Sequence, residues 1–135
     1  KWAEVSERRN LIERDLRKLC RIQLMAQIGE TVARSCVISL LGEPRASRVG
    51  GLAYIDLFDG NKSGIFFTDL IKIISKEWDC FKNIFGRNKE ECLDQLKVIN
   101  DMRIDAHAKT ITDTEFQIFR LCAEKVESTL QVFMI

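Results

Sequence analysis

Proline and histidine are nearly absent: the 135 residues hold one proline, Pro44, and one histidine, His107. With a single imidazole, paired-histidine metal motifs and histidine-rich tracts are excluded. With one proline and seven glycines there are few chain breaks, which favours long helices. Charge of one sign is also lacking. Twenty-one basic residues face twenty acidic ones, a formal net charge of +1. A chain of this balance has no global attraction for a polyanion, so any such binding rests on a local patch. No apolar run reaches membrane-spanning length, and no Gly-rich phosphate loop or Gly-x-Ser-x-Gly elbow is present. The start, Lys1-Trp2-Ala3-Glu4, does not read as a signal peptide.

What is there is an ordinary globular balance, 46% apolar and 30% charged. The length suits a single domain over residues 1–135. The chain does not begin with Met, and the expectation is a domain excised from a larger protein, whose other domains would be partners. Five cysteines, Cys20, Cys36, Cys80, Cys92 and Cys122, are an odd number at wide spacings, each among apolar residues. They read as reduced core thiols of an intracellular protein, cytoplasmic or, in a eukaryote, nuclear. No metal, cofactor or membrane is expected.

Apolar residues recur at helical spacing through most of the chain. Ile12, Leu16, Leu19, Cys20, Leu24 and Ile28 pattern a first helix from about Ser6. Val32, Cys36, Val37, Leu40 and Leu41 continue the period to Gly42, and the pattern leaves open whether Gly29 bends one helix or separates two. Gly42-Glu43-Pro44 stops it. Residues 42–51 read as a loop carrying Arg45 and Arg48, Leu52 to Phe58 as a strand or irregular segment, and Asp59-Gly60-Asn61-Lys62 as a turn. Thr68-Asp69 caps the next helix, which runs to Gly86 through Leu70, Ile73, Ile74, Trp78, Phe81 and Phe85. Asn88 with Glu91, and Thr112 with Glu115, have the spacing of capping boxes for two more helices. The first of these is lined by Cys92, Leu96, Ile99, Met102 and Ala106, the last by Phe116, Phe119, Leu121, Cys122, Val126 and Leu130. The sum is an all-α helical bundle of four or five helices with one long irregular loop.

One polar constellation stands out. Asn100, Arg103 and His107 lie three, four and seven apart, a single stripe if the penultimate helix continues through them, with Asp101 and Asp105 beside it. A histidine titrates near neutrality and can give or take a proton. An arginine grips phosphate and stabilises charge that builds in a transition state. The pair has the chemistry to cleave RNA without metal. The plain alternative is a basic side chain that suits the end of a helix macrodipole. Arg8, Arg9, Arg14, Arg17, Lys18 and Arg21 make the first helix locally basic, but Glu4, Glu7, Glu13 and Asp15 interleave, and a solvated face of ion pairs is the expected reading over an RNA-tracking surface.

The stretch Leu93 to Lys109, with Asn100-Asp101-Met102-Arg103-Ile104-Asp105-Ala106-His107-Ala108 and then Thr112-Asp113, resembles the end of HEPN (higher eukaryotes and prokaryotes nucleotide-binding) domains. There a helix runs into an Arg…Ala-His signature before a capped final helix. Upstream, Leu70-Ile71-Lys72-Ile73-Ile74, Trp78-Asp79-Cys80-Phe81, Ile84-Phe85-Gly86 and Leu16-Arg17-Lys18-Leu19 are similar to the subgroup named after a yeast nuclear RNA endoribonuclease. The resemblance implies an α-helical bundle that forms a homodimer and a metal-independent endoribonuclease acting on RNA, in a defence, toxin or RNA-quality-control protein. It implies catalytic roles for Arg103 and His107, with Asn100 and Asp105 in support, and no cofactor. Relatives space the pair more widely and place a polar residue after the arginine. Here three residues separate Arg103 from His107, and Ile104 follows the arginine. The alternative is therefore a catalytically inactive HEPN-like module for dimerisation or partner binding.

Overall fold

A computed structural model describes residues 1–103 and 110–134. Among them the secondary structure is all-α, without a strand. The helices are α1 (Trp2–Ile28), α2 (Glu30–Leu41), α3 (Arg45–Val49), α4 (Tyr54–Leu57), α5 (Gly60–Ser63), α6 (Phe67–Lys76), α7 (Trp78–Phe85), α8 (Lys89–Asp101) and α9 (Asp113–Met134).

α1 has no internal glycine or proline, and its 27 residues give a rod about 40 Å long. One face carries Val5, Ile12, Leu16, Leu19, Cys20 and Leu24, all buried. Each buried leucine of this kind contributes about 1.5–3 kcal/mol over the exposed state. The face is surrounded: α1 packs on α9, α9 on α8, α8 on α6, and α6 back on α1. Phe67, Leu70, Ile73, Leu96, Ile99 and Phe119 fill the centre of this four-helix ring, and Phe81 of α7 closes one end. α2 and the short helices flank the ring on the α1 side.

Gly29 settles the question the hydrophobic period left open. Its φ of 81° and ψ of 156° end α1 and begin α2 as a separate helix. That region is strained for any residue with a Cβ. Met25 accepts the Gly29 amide at 3.0 Å and Gly29 accepts that of Ala33 at 2.9 Å, so the break loses little hydrogen bonding. The expected helix from Thr68 to Gly86 is likewise two, split at Glu77 (φ −104°, ψ 39°). The count of four or five helices is thus too low.

The expected long irregular loop is three short helices, and the strand considered for Leu52 to Phe58 is α4. Their ends are held by polar contacts. The Tyr54 hydroxyl donates to the Arg21 carbonyl at 2.6 Å, the Ser63 hydroxyl to the Leu57 carbonyl at 2.7 Å, and the Asp59 carboxylate accepts the Asn61 amide at 3.0 Å. Of the two capping signals toward the other end of the chain, Asn88 makes the cap bond alone and Thr112–Glu115 makes the full box. Asn88 Oδ1 accepts the Glu91 amide at 3.0 Å. Thr112 Oγ1 accepts the Glu115 amide at 3.1 Å while Glu115 Oε1 accepts that of Thr112 at 3.0 Å, a reciprocal box. On α9 the buried seam is Phe116, Phe119, Ala123, Val126 and Leu130; Leu121 lies off it and is 68% exposed. Cys20, Cys80 and Cys92 are buried, whereas Cys36 and Cys122 reach the edge of the core, and all five are free thiols.

Candidate functional site

α8 ends where the candidate stripe begins. Asp101 is its last residue, and Met102 leaves helical geometry with φ −85° and ψ 69°. The Met102 side chain is buried against the core, which turns the chain and leaves Arg103 exposed. The Arg103 amide closes a tight turn on the Asp101 carbonyl at 3.0 Å. Asn100 and Arg103 therefore do not share a helical face: Arg103 stands two residues past the end. Asp105 and His107 lie outside the described residues.

Asn100 is buried and holds three helices together. Its Oδ1 accepts from Arg9 Nη2 of α1 at 2.8 Å, and its Nδ2 donates to Thr68 Oγ1 of α6 at 3.1 Å. Arg9 Nε also donates to the Asn100 carbonyl at 3.3 Å, satisfying one of the acceptors that the last turn of a helix leaves over. The guanidinium lies over the Phe67 ring, 5.1 Å from its centroid, with Glu13 3.7 Å away. Arg9 is thus the cation that complements the α8 dipole, and the plain explanation for a basic residue there is already met by α1. Arg103 has no ion pair among the described residues. The role of Arg9 carried no signal in the sequence, because its partner is 91 positions away.

Arg45, expected in a loop with Arg48, is committed to an ion pair. Its Nη1 and Nη2 grip the Asp69 carboxylate at 2.9 and 2.8 Å, and Nη2 reaches the Gly64 carbonyl at 2.9 Å. Asp69 is not the cap residue itself but sits in the first turn of α6 and reaches back to accept the Phe66 amide at 3.0 Å. Burial pushes the Asp69 carboxyl up, but Arg45 and the Phe66 amide outweigh it and hold the pKa below the ordinary value of 3.8. Arg48 is exposed.

The basic residues of α1 divide into two groups. Toward the N-terminus they join ion pairs as expected. Arg120 of α9 holds Glu4 through two contacts of 2.8 and 2.9 Å, and Arg8 bridges Glu4 at 3.1 Å and Glu127 at 2.5 and 3.0 Å. The Arg120 hydrogen bond is the largest influence on Glu4; desolvation opposes it, and with Arg8 on the same side as Arg120 the Glu4 pKa falls to about 2. Further along, Arg17 binds Glu13 at 3.1 Å and the Ile65 carbonyl at 2.5 Å, and the exposed Arg14 meets its half-buried neighbour Asp15 at 3.2 Å. Lys18 and Arg21 have no carboxylate partner among the described residues. Of the aromatics, Phe81 is fully buried and Trp78 stacks on Phe85 with centroids 6.4 Å apart, both part of the packing rather than an open platform. Phe66 is exposed.

Among the described residues no group of three or more His, Cys, Asp or Glu is placed to hold a metal ion, and no helix is long and apolar enough to cross a membrane. No family model matches this all-α chain, and neither a curated protein nor a solved structure matches it.

Proposed function

We propose that the chain is a metal-independent endoribonuclease domain of HEPN type, with His107 as the proton-transferring group and Arg103 as the phosphate-binding one. The observation that carries this reading is the placement of Arg103. It leaves the helix exposed, directly after a terminus that Arg9, Asn100 and Thr68 fix to two other helices, while Arg9 takes over the helix-end role. The resemblance of the Asn100–His107 stretch to HEPN signatures supplies the chemistry. The ribose 2′-oxygen attacks the adjacent phosphorus as its proton is removed, the bond from phosphorus to the 5′-oxygen breaks, and that oxygen takes up a proton. His107 serves one of these two transfers. Arg103 balances the charge on the phosphoryl oxygens as it builds. Asn100 supports the segment from the core side, and Asp105 orients His107 or Arg103. The working form is an intracellular homodimer within a larger defence, toxin or RNA-quality-control protein.

The products test this chemistry. In chelator, cleavage should leave a 2′,3′-cyclic phosphate and a 5′-hydroxyl, and Arg103→Ala should lower the rate roughly a hundredfold or more. Metal-dependent cutting that leaves 5′-phosphates would contradict it. A second reading, a catalytically inactive HEPN-like module for dimerisation or partner binding, draws on Ile104 beside Arg103 and on α9. There Ile118, Leu121 and Val132 are exposed apolar side chains on one helix.

A further inference from the structure

α1 and the short helices α4 and α5 enclose an open cleft of about 430 Å³. One wall is Arg14, Arg17, Lys18 and Arg21, which fall within a single stripe roughly 100° wide on α1. The other wall is Ile55, Phe58, Asp59 and Gly60. The cleft is held in shape from both sides. Arg17 is anchored on Glu13 and the Ile65 carbonyl, and Tyr54, edge-on to Phe58 at 5.2 Å, donates to the Arg21 carbonyl. At Gly60 a Cβ would stand 3.3 Å from the Arg17 guanidinium, so glycine lets the α5 backbone approach it closely.

Charge is what this cleft has in excess. Glu13 offsets Arg17 and Asp15 offsets Arg14, and Asp59 is the one carboxylate in the lining. Lys18 and Arg21 remain unpaired among the described residues. Like charges three and four apart on a helix repel, so the Arg14–Lys18–Arg21 arrangement works against α1 unless an anion is bound. An open, shallow cleft fits an extended polyanion better than an enclosed small molecule. It lies ~8–18 Å along α1 from Arg9, the residue that anchors the end of α8.

We propose that this cleft binds the phosphodiester backbone of an RNA strand, with Lys18, Arg21 and Arg14 on the phosphates and Ile55 and Phe58 as its apolar wall. The proposal rests on the RNA reading above for the kind of ligand and on the cleft for its place. The test is anisotropy titration of a 2′-O-methyl oligoribonucleotide, which lacks the attacking hydroxyl and stays intact. The Lys18→Glu/Arg21→Glu variant should bind at least roughly tenfold more weakly than a Lys82→Glu/Lys97→Glu variant of equal net charge, and the slope of log affinity against log salt should fall by about 1–2. Lys18→Gln/Arg21→Gln, with a circular dichroism spectrum like the wild type, should move the same way and guards against misfolding. Equal binding by cleft and control variants would overturn the proposal. So would a cleft variant that loses inorganic phosphate or a mononucleotide while holding RNA as before. Cleavage of an unmodified strand is read in parallel. Cleft-dependent binding without His107-dependent cutting leaves the cleft assigned and removes the endoribonuclease reading; His107-dependent cutting with cleft-independent binding does the reverse; no RNA binding by the wild type removes both.

Discussion

Arg45→Ala should cost the fold about 2–3 kcal/mol and lower the melting temperature by roughly 10 °C. The guanidinium makes two contacts with Asp69 and one with the Gly64 carbonyl, tying α3 to the start of α6. Asp69 is only 8% exposed while Arg45 is 29% exposed, so the loss falls short of that for a fully buried pair. What remains in the variant is a carboxylate in a largely desolvated place, held by the Phe66 amide and the charge of Lys72. The pH dependence should invert. In the wild type the Asp69 pKa is lowered, so its contribution is present above the ordinary value of 3.8 and is lost as pH falls through the folded value. Without Arg45 burial dominates and raises the pKa, which favours the protonated acid. The deficit of Arg45→Ala should therefore shrink on acidification, and Asp69→Asn in the same background should recover part of the loss at neutral pH. Denaturant melts between pH 3 and 7 check both; a deficit independent of pH would mean that the ion pair is not its source.

Asn100→Ala should destabilise by about 1.5–3 kcal/mol, the usual cost of a hydrogen bond to a charged group. Arg9 would lose its Oδ1 partner, while the exposed Thr68 hydroxyl can turn to water. Asn100→Asp should behave differently. A carboxylate in that place pairs with Arg9, and Thr68 can donate to it, so most of the stability returns at pH 7. Because the same junction fixes the start of the Arg103 segment, Asn100→Ala should also slow RNA cleavage more than its stability loss explains. Equal stability of the alanine and aspartate variants at pH 7 would contradict the account of the junction.

Local signals were the readable ones. The Thr112–Glu115 and Asn88–Glu91 spacings name their own partners, and a helix as long as α1 repeats its buried face often enough to be seen. α4 and α5, at four residues each, complete barely one turn and have no period to read. The apolar period runs unbroken across Gly29 and Glu77 because both flanking helices face the same core, so the breaks are invisible to it. Leu121 fits an apolar count but points away from the Phe119–Ala123 seam. The candidate site was legible only in part. Arg103 and Asn100 were singled out, yet the helix end at Asp101, set by burial of Met102, separates them. Arg9, Arg45 and the cleft residues Lys18 and Arg21 take their meaning from residues far away in the chain: Asn100, Asp69 and the α4–α5 wall. Composition near each arginine does not distinguish these fates.

The most direct measurement is cleavage of a structured RNA by the purified wild-type chain in chelator, beside His107→Ala, with both proteins shown to keep the same helical spectrum and melting temperature. The account predicts cutting by the wild type alone. Cutting that persists in His107→Ala would contradict the assignment of His107, and a wild type that leaves the RNA intact would favour the inactive dimerisation or partner-binding module.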